Sequence, residues 1–193
     1  MILYHVAILS LIYSVHNNTL ANQHLPSVHL TSLDCSNMSE EFTTNAHDLA
    51  EAAKLQAQLE QDSGVKSSSS SSSVQHQYRI PSVSIDSGAY KYVLITALPP
   101  NNNKPEVFVH SKRGAQYHRN VAEPLIPILQ QSGYTDIRIK GGGRIFRCDD
   151  DNIIKIFGYS YGFGRADHAL AKDVVEKSGK FAGYAISWSN DGY

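Results

Sequence analysis

One histidine, one glycine-rich turn and one glycine–arginine run stand out in this chain as residues that suit the handling of an anion. His118 follows Tyr117 at the mouth of a predicted helix. An imidazole changes charge near neutral pH, so it can take up a proton or attack as a nucleophile. The run Lys155-Ile-Phe-Gly-Tyr-Ser-Tyr-Gly-Phe-Gly-Arg-Ala-Asp-His168 begins as a strand, turns through Gly158, Gly162 and Gly164, and enters a helix predicted over residues 166–175. Such a turn aims backbone N–H groups at one point, and the helix end adds positive potential. Ser160 supplies a hydroxyl, and Arg165 a planar fork suited to phosphate oxygens. Gly141-Gly142-Gly143-Arg144 is a second possible phosphate contact, because glycine allows close backbone approach and arginine binds in two-pronged fashion. Each feature also has a plain reading. Glycines make tight turns, a strand can end on an exposed arginine, and a single histidine is commonly a satisfied structural residue.

Composition narrows the chemistry. Of nine histidines, only His110, His118 and His168 lie beyond residue 78. None forms a pair at metal-ligand spacing, and there is no cysteine cluster, so neither a metal site nor another cofactor is expected. Residues 79–193 carry 15 Lys+Arg against 11 Asp+Glu, a surplus of four positive charges. Residues 1–78 carry 2 against 7, a deficit of five, which together give the net charge of −1. A mildly basic module fits a small anionic ligand and falls short of the basic stripe expected of a nucleic-acid binder. Two cysteines, Cys35 and Cys148, lie in segments of different character, so free thiols in a reducing compartment are expected.

These residues need a frame, and the chain divides in two. Residues 1–78 read as a disordered or weakly helical extension, and residues 79–193 as the folded domain. Residues 1–15 are apolar, shorter than the roughly 20 residues that span a bilayer, and lack the basic start of a signal peptide. A cytoplasmic protein with no membrane association is therefore expected, with secretion the lesser alternative. Residues 44–61 show a thin, alanine-rich helical pattern, expected to be a marginal solvated helix outside the core. Seven consecutive serines, 67–73, read as a linker. Beyond the boundary, strands are expected over 83–85, 90–97, 107–110, 137–139, 153–157 and 184–188. The strand at 137–139 is expected to end at the three glycines. A helix over 117–131 must kink or restart at Pro124 or Pro127. Interleaved strands and helices imply an α+β domain, one mixed sheet of about six strands flanked by two helices.

Taken together, these pieces resemble the janus family of phosphohistidine phosphatases. The resemblance is carried by Ile85-Asp-Ser-Gly-Ala-Tyr-Lys-Tyr-Val-Leu-Ile95, Tyr117-His118, Gly141-Gly-Gly-Arg-Ile145, Phe157-Gly-Tyr-Ser-Tyr-Gly-Phe-Gly-Arg-Ala-Asp-His168 and Ser187-Trp-Ser-Asn-Asp-Gly-Tyr193. It implies a metal-independent hydrolase of the P–N bond that acts on phosphohistidine-containing proteins, as a monomer. It implies His118 as general base or nucleophile and Lys91 as a catalytic lysine touching the substrate. Ser160, Tyr161 and Gly162 would hold the phosphate, and Tyr117, Gly143, Arg144 and His168 would line the site. Some members of that family are sex-regulated, germline-expressed proteins. The alternative is therefore a diverged, non-catalytic binder of phosphate or phosphoproteins with a role in sex differentiation.

Overall fold

The computed structural model describes residues 45–62 and 79–192, all within one compact unit that spans residues 35–193. The apolar start, the serine run and Cys35 lie outside the described residues. Helix α1 (Asn45–Asp62) comes first. Strands β1 (Val83–Ser84), β2 (Gly88–Leu98) and β3 (Glu106–Ser111) follow, then helices α2 (His118–Ala122) and α3 (Leu125–Gln131). Strands β4 (Thr135–Cys148) and β5 (Ile153–Phe157), helix α4 (His168–Lys177) and strand β6 (Ala185–Trp188) complete the order. The six strands form one mixed sheet in the order β1-β3-β2-β4-β5-β6. The two outer pairs, β1·β3 and β5·β6, are parallel, and the inner pairs are antiparallel.

The sheet is built from β-branched and aromatic residues that alternate between two buried faces. On one face Tyr92, Leu94, Val109, Ile145, Ile154 and Ile156 pack against Ala171 and Val175 of α4. On the other, Val93, Ile95, Ala97 and Phe108 pack against Val121 and Ala122 of α2, Leu125, Ile126 and Leu129 of α3, and Leu55 of α1. The mixed α+β sheet read from the sequence is thus the fold. The predicted helix over 117–131 breaks at Pro124, as its proline demands, giving α2 and α3.

Two expectations are corrected. β4 does not stop at the glycines but runs through them to Cys148, paired with β2 on both sides of the run, from Thr135 to Arg147. Its register shifts between the Val93 and Ile95 positions, and that bulge absorbs the extra residue near Gly141, whose φ is +124°. α1 is not a solvated helix. Asp48, Ala52 and Leu55 fall on one stripe of it and are at most 4 % exposed. The pattern looks thin because two of its contact residues are alanine and aspartate, but a small residue is what lets a helix approach another backbone closely. A third expectation, of free thiols, also fails where it is visible: Cys148 is buried and is not a free thiol.

Candidate active site

α2 begins where the chain arrives in an extended conformation at Tyr117, φ −125°. The Tyr117 N–H donates to Asn120 Oδ1 at 3.0 Å, and the Asn120 N–H donates back to the Tyr117 carbonyl at 3.0 Å. This reciprocal cap fixes the first helical residue, His118, against the sheet, where it is 1 % exposed. His118 Nε2 lies 3.0 Å from the Gly143 carbonyl oxygen. A carbonyl only accepts, so Nε2 is the N–H donor, and in the neutral ring Nδ1 carries the lone pair. Nδ1 points away from the sheet toward Asp48 Oδ2, 3.4 Å off.

The glycine run makes room for two histidines, one on each face. A Cβ on Gly142 would stand 2.8 Å from His118 Cδ2 and 2.7 Å from the Tyr92 carbonyl oxygen. A Cβ on Gly143 would stand 2.5 Å from the Phe157 carbonyl oxygen and 3.0 Å from His168 Cε1. Neither distance is tolerable, so both positions need glycine for space rather than for φ. The run also receives the glycine-rich turn. Gly142 N–H donates to Gly164 O at 3.0 Å, and Ala166 N–H donates to Gly142 O at 3.1 Å.

The turn is a small closed loop. Ser160 and Gly164 exchange both backbone hydrogen bonds, at 3.2 and 2.9 Å. Ser160 Oγ accepts from Phe163 N–H at 3.1 Å, so the buried hydroxyl shapes the loop tip. Tyr161 and Gly162 form that tip, and Tyr161 packs edge-on against Tyr159, ring centres 4.9 Å apart. Lys91 and Arg144 face each other directly across β2 and β4, both 5 % exposed. By strand alternation they share the face of Val93, which is the face that carries α2 and His118. Arg144 Nη2 also reaches the Ala89 carbonyl at 3.5 Å.

His168, expected to line the site, lies on the opposite face of the sheet, among the side chains packed on α4. Its Nε2–H donates to Gly158 O at 2.8 Å, and its Nδ1 accepts from the Tyr92 hydroxyl at 2.5 Å. Both ring nitrogens are therefore spent on the scaffold. Burial, above all, lowers its pKa, with Arg165 adding to the effect against the Gly158 carbonyl and Asp167. A histidine kept neutral in the fold contributes stability that is complete above its unfolded pKa of about 6.5 and is lost as pH falls toward the folded value. Stability measured by denaturant titration should therefore decline on acidification below about pH 6.5, and His168→Gln should flatten that slope.

Asp48, Glu51 and Ala52 of α1 are the part of the site that sequence reasoning missed. Asp48 is fully buried, and its Oδ1 has no hydrogen-bond partner. Burial raises its pKa, but the His118 ring, followed by the backbone N–H groups of Gly162 and His118, pulls it below the ordinary carboxylate range. Glu51 Oε2 pairs with Arg119 Nη1 at 3.0 Å, and His47 stacks on Tyr117 with ring centres 6.5 Å apart. The acid–apolar periodicity of 48, 51, 52 and 55 was the available signal, but periodicity does not say what a helix docks on.

Among the described residues no group of three or more His, Cys, Asp or Glu converges as a metal-ligand set, and no helix is long and apolar enough to cross a membrane. The arrangement can bind a small anion beside a histidine whose Nδ1 is presented to it, with two cations on the same face.

The chain is 34 % identical over 121 residues to the 14 kDa phosphohistidine phosphatase of Sus scrofa, covering 60 % of this chain and 94 % of that protein. It is 35 % identical over 120 residues to the protein of the same name from Homo sapiens, covering 59 % and 94 %. Similarity extends to the sex-regulated protein janus-A of Drosophila mauritiana, 31 % identical over 106 residues, covering 55 % and 76 %. The family model for Janus/Ocnus matches residues 77–185, which contain every strand but the last residues of β6 and leave out α1. With more than half of its length matched, the chain belongs to the Janus/Ocnus family.

Proposed function

We propose that this protein hydrolyses the P–N bond of phosphohistidine in proteins, without a metal, using His118. The observation that carries the reading is the ring's fixed orientation: Nε2–H held by the Gly143 carbonyl, and Nδ1 turned toward an acidic residue, Asp48, that packs on the Gly162 loop tip. The names of the pig and human relatives support the substrate class.

The chemistry asks little beyond this. Water attacks phosphorus, the P–N bond breaks, and the leaving imidazole nitrogen takes a proton, giving orthophosphate and histidine. Catalysis is then positioning plus charge neutralisation. His118 Nδ1 either removes the proton from water or attacks phosphorus itself, and a phosphorylated His118 trapped by acid-free quenching distinguishes the second route. Lys91 and Arg144 neutralise the phosphoryl oxygens, and the loop tip at Tyr161–Gly162 supplies N–H donors. Ser160 acts by shaping that loop, Tyr117 by starting α2, and His168 by supporting the glycine run from behind.

Lys91→Ala should lower the rate of phosphate release by about 100-fold, the size of effect seen on removal of one charge-stabilising donor. The test of the substrate class is phosphate release by the full-length chain, with chelator present, from a phosphohistidine peptide and from a phosphoserine peptide. Release from the first and not the second is expected. Equal rates on both would point to a general phosphomonoesterase.

A further inference from the structure

Among the described residues, α1 is the one helix outside the matched segment, and it lies over the candidate site. Along α1, successive turns meet successive parts of it. His47 stacks on Tyr117, Asp48 meets His118, Glu51 pairs with Arg119, Ala52 sits on Gly162, and Leu55 enters the core beside α2 and α3. The fit to the loop tip is tight: a Cβ on Gly162 would collide with Ala52 Cβ and stand 2.5 Å from the Asp48 carbonyl oxygen.

We propose that α1 is an intramolecular competitor of the substrate, with the Asp48 carboxylate standing where a phosphoryl group binds. Only the identity of the competing substrate rests on the phosphohistidine reading; the competition itself is for an anion.

Three observations carry it. Among the described residues the carboxylate is the one anionic group brought to His118 Nδ1, and its helix packs directly on the Gly162 loop tip. Its fit is poor for a structural role. Oδ1 is buried without a partner, and the Oδ2–Nδ1 contact is long at 3.4 Å. An orphaned buried carboxylate oxygen costs free energy, whereas a phosphoryl group has three oxygens to spread over the donors. The third observation is what the helix does to the machinery. His118 is 1 % exposed beneath Asp48, and Ala52 covers Gly162, so α1 stands between His118 Nδ1 and an incoming substrate. A tethered competitor acts at an effective concentration of order millimolar, so even a weak carboxylate contact excludes a dilute ligand.

The test compares orthophosphate binding by calorimetry among the full-length chain, Asp48→Ala and Ala52→Glu. Asp48→Ala removes the competing charge. Ala52→Glu leaves Asp48 intact but puts a side chain where Gly162 allows none, which lifts α1 off the loop tip and withdraws Leu55 from its place beside α2 and α3. Circular dichroism and thermal melts check that each variant is folded. Both variants should bind orthophosphate at least tenfold more tightly than the unaltered chain, and phosphohistidine hydrolysis should rise with them. Unchanged or weaker phosphate binding in Asp48→Ala overturns the proposal, as does tightening in Ala52→Glu alone, since the carboxylate would then not be the competitor. Tighter phosphate binding in both variants without hydrolysis in any chain upholds the competitor and rejects the phosphatase reading.

Discussion

His118→Ala should lower phosphohistidine hydrolysis by about 10²–10⁴-fold if the ring is a general base, and by more if it is the nucleophile. The effect is large because no neighbouring group can substitute. The Gly143 carbonyl fixes Nε2, the reciprocal Tyr117–Asn120 cap fixes the backbone, and Nδ1 is the atom presented to the anion. The variant keeps its fold, because alanine is a better helix former than histidine at that position, although it leaves a cavity over Gly142. Its phosphate affinity should therefore change less than its rate. A rate loss matched by an equal loss of phosphate binding would make His118 an anion ligand rather than the reacting group.

Gly142→Ala should damage both stability and activity. The added methyl group meets the Tyr92 carbonyl oxygen at 2.7 Å, His118 Cδ2 at 2.8 Å and Ser160 Cβ at 3.3 Å. Backbone cannot yield cheaply in the middle of a sheet, so the imidazole must move. Overpacking of this kind typically costs about 1–3 kcal/mol. For a chain of this size that corresponds to a drop in Tm of roughly 2–4 °C per kcal/mol. Because the group that yields is the reacting one, the rate should fall further than the stability loss alone would cause. The measurement is a thermal melt beside a rate assay at a temperature where the variant is folded. Wild-type activity in Gly142→Ala would show that the ring position over this glycine is not used.

Much of this was legible in the sequence, for local reasons. Residues 90–97 read as a strand because a β-branched and aromatic run suits a central strand buried on both faces, and they became β2. A break in the helix over 117–131 was legible because a proline in a helix interior removes a hydrogen bond, but which proline breaks it was not: the chain breaks at Pro124 and keeps Pro127 in the first turn of α3. The glycine run was harder. Sequence offers glycine as a turn, a stop or a phosphate cradle, and here it is a strand interior hollowed for His118 on one side and His168 on the other. His168 sits in a glycine-rich motif with charged neighbours, but strand alternation and α4 carry it to the far face, which chain order alone does not reveal. α1 was the least legible. Its stripe of Asp48, Ala52 and Leu55 has little hydrophobicity, and the partner that makes those residues fit, Gly162, is more than a hundred positions away.

The most direct test of the central claim is ³¹P NMR of a phosphohistidine peptide, with chelator present, mixed with the full-length chain carrying Ala52→Glu or Ala52→Glu together with His118→Ala. The Ala52→Glu chain opens the site without altering any group assigned to the reaction. The phosphoramidate signal should convert to orthophosphate with this chain, at least about 100-fold faster than with the double variant. Equal rates for the two chains, or no conversion above the peptide alone, would contradict it.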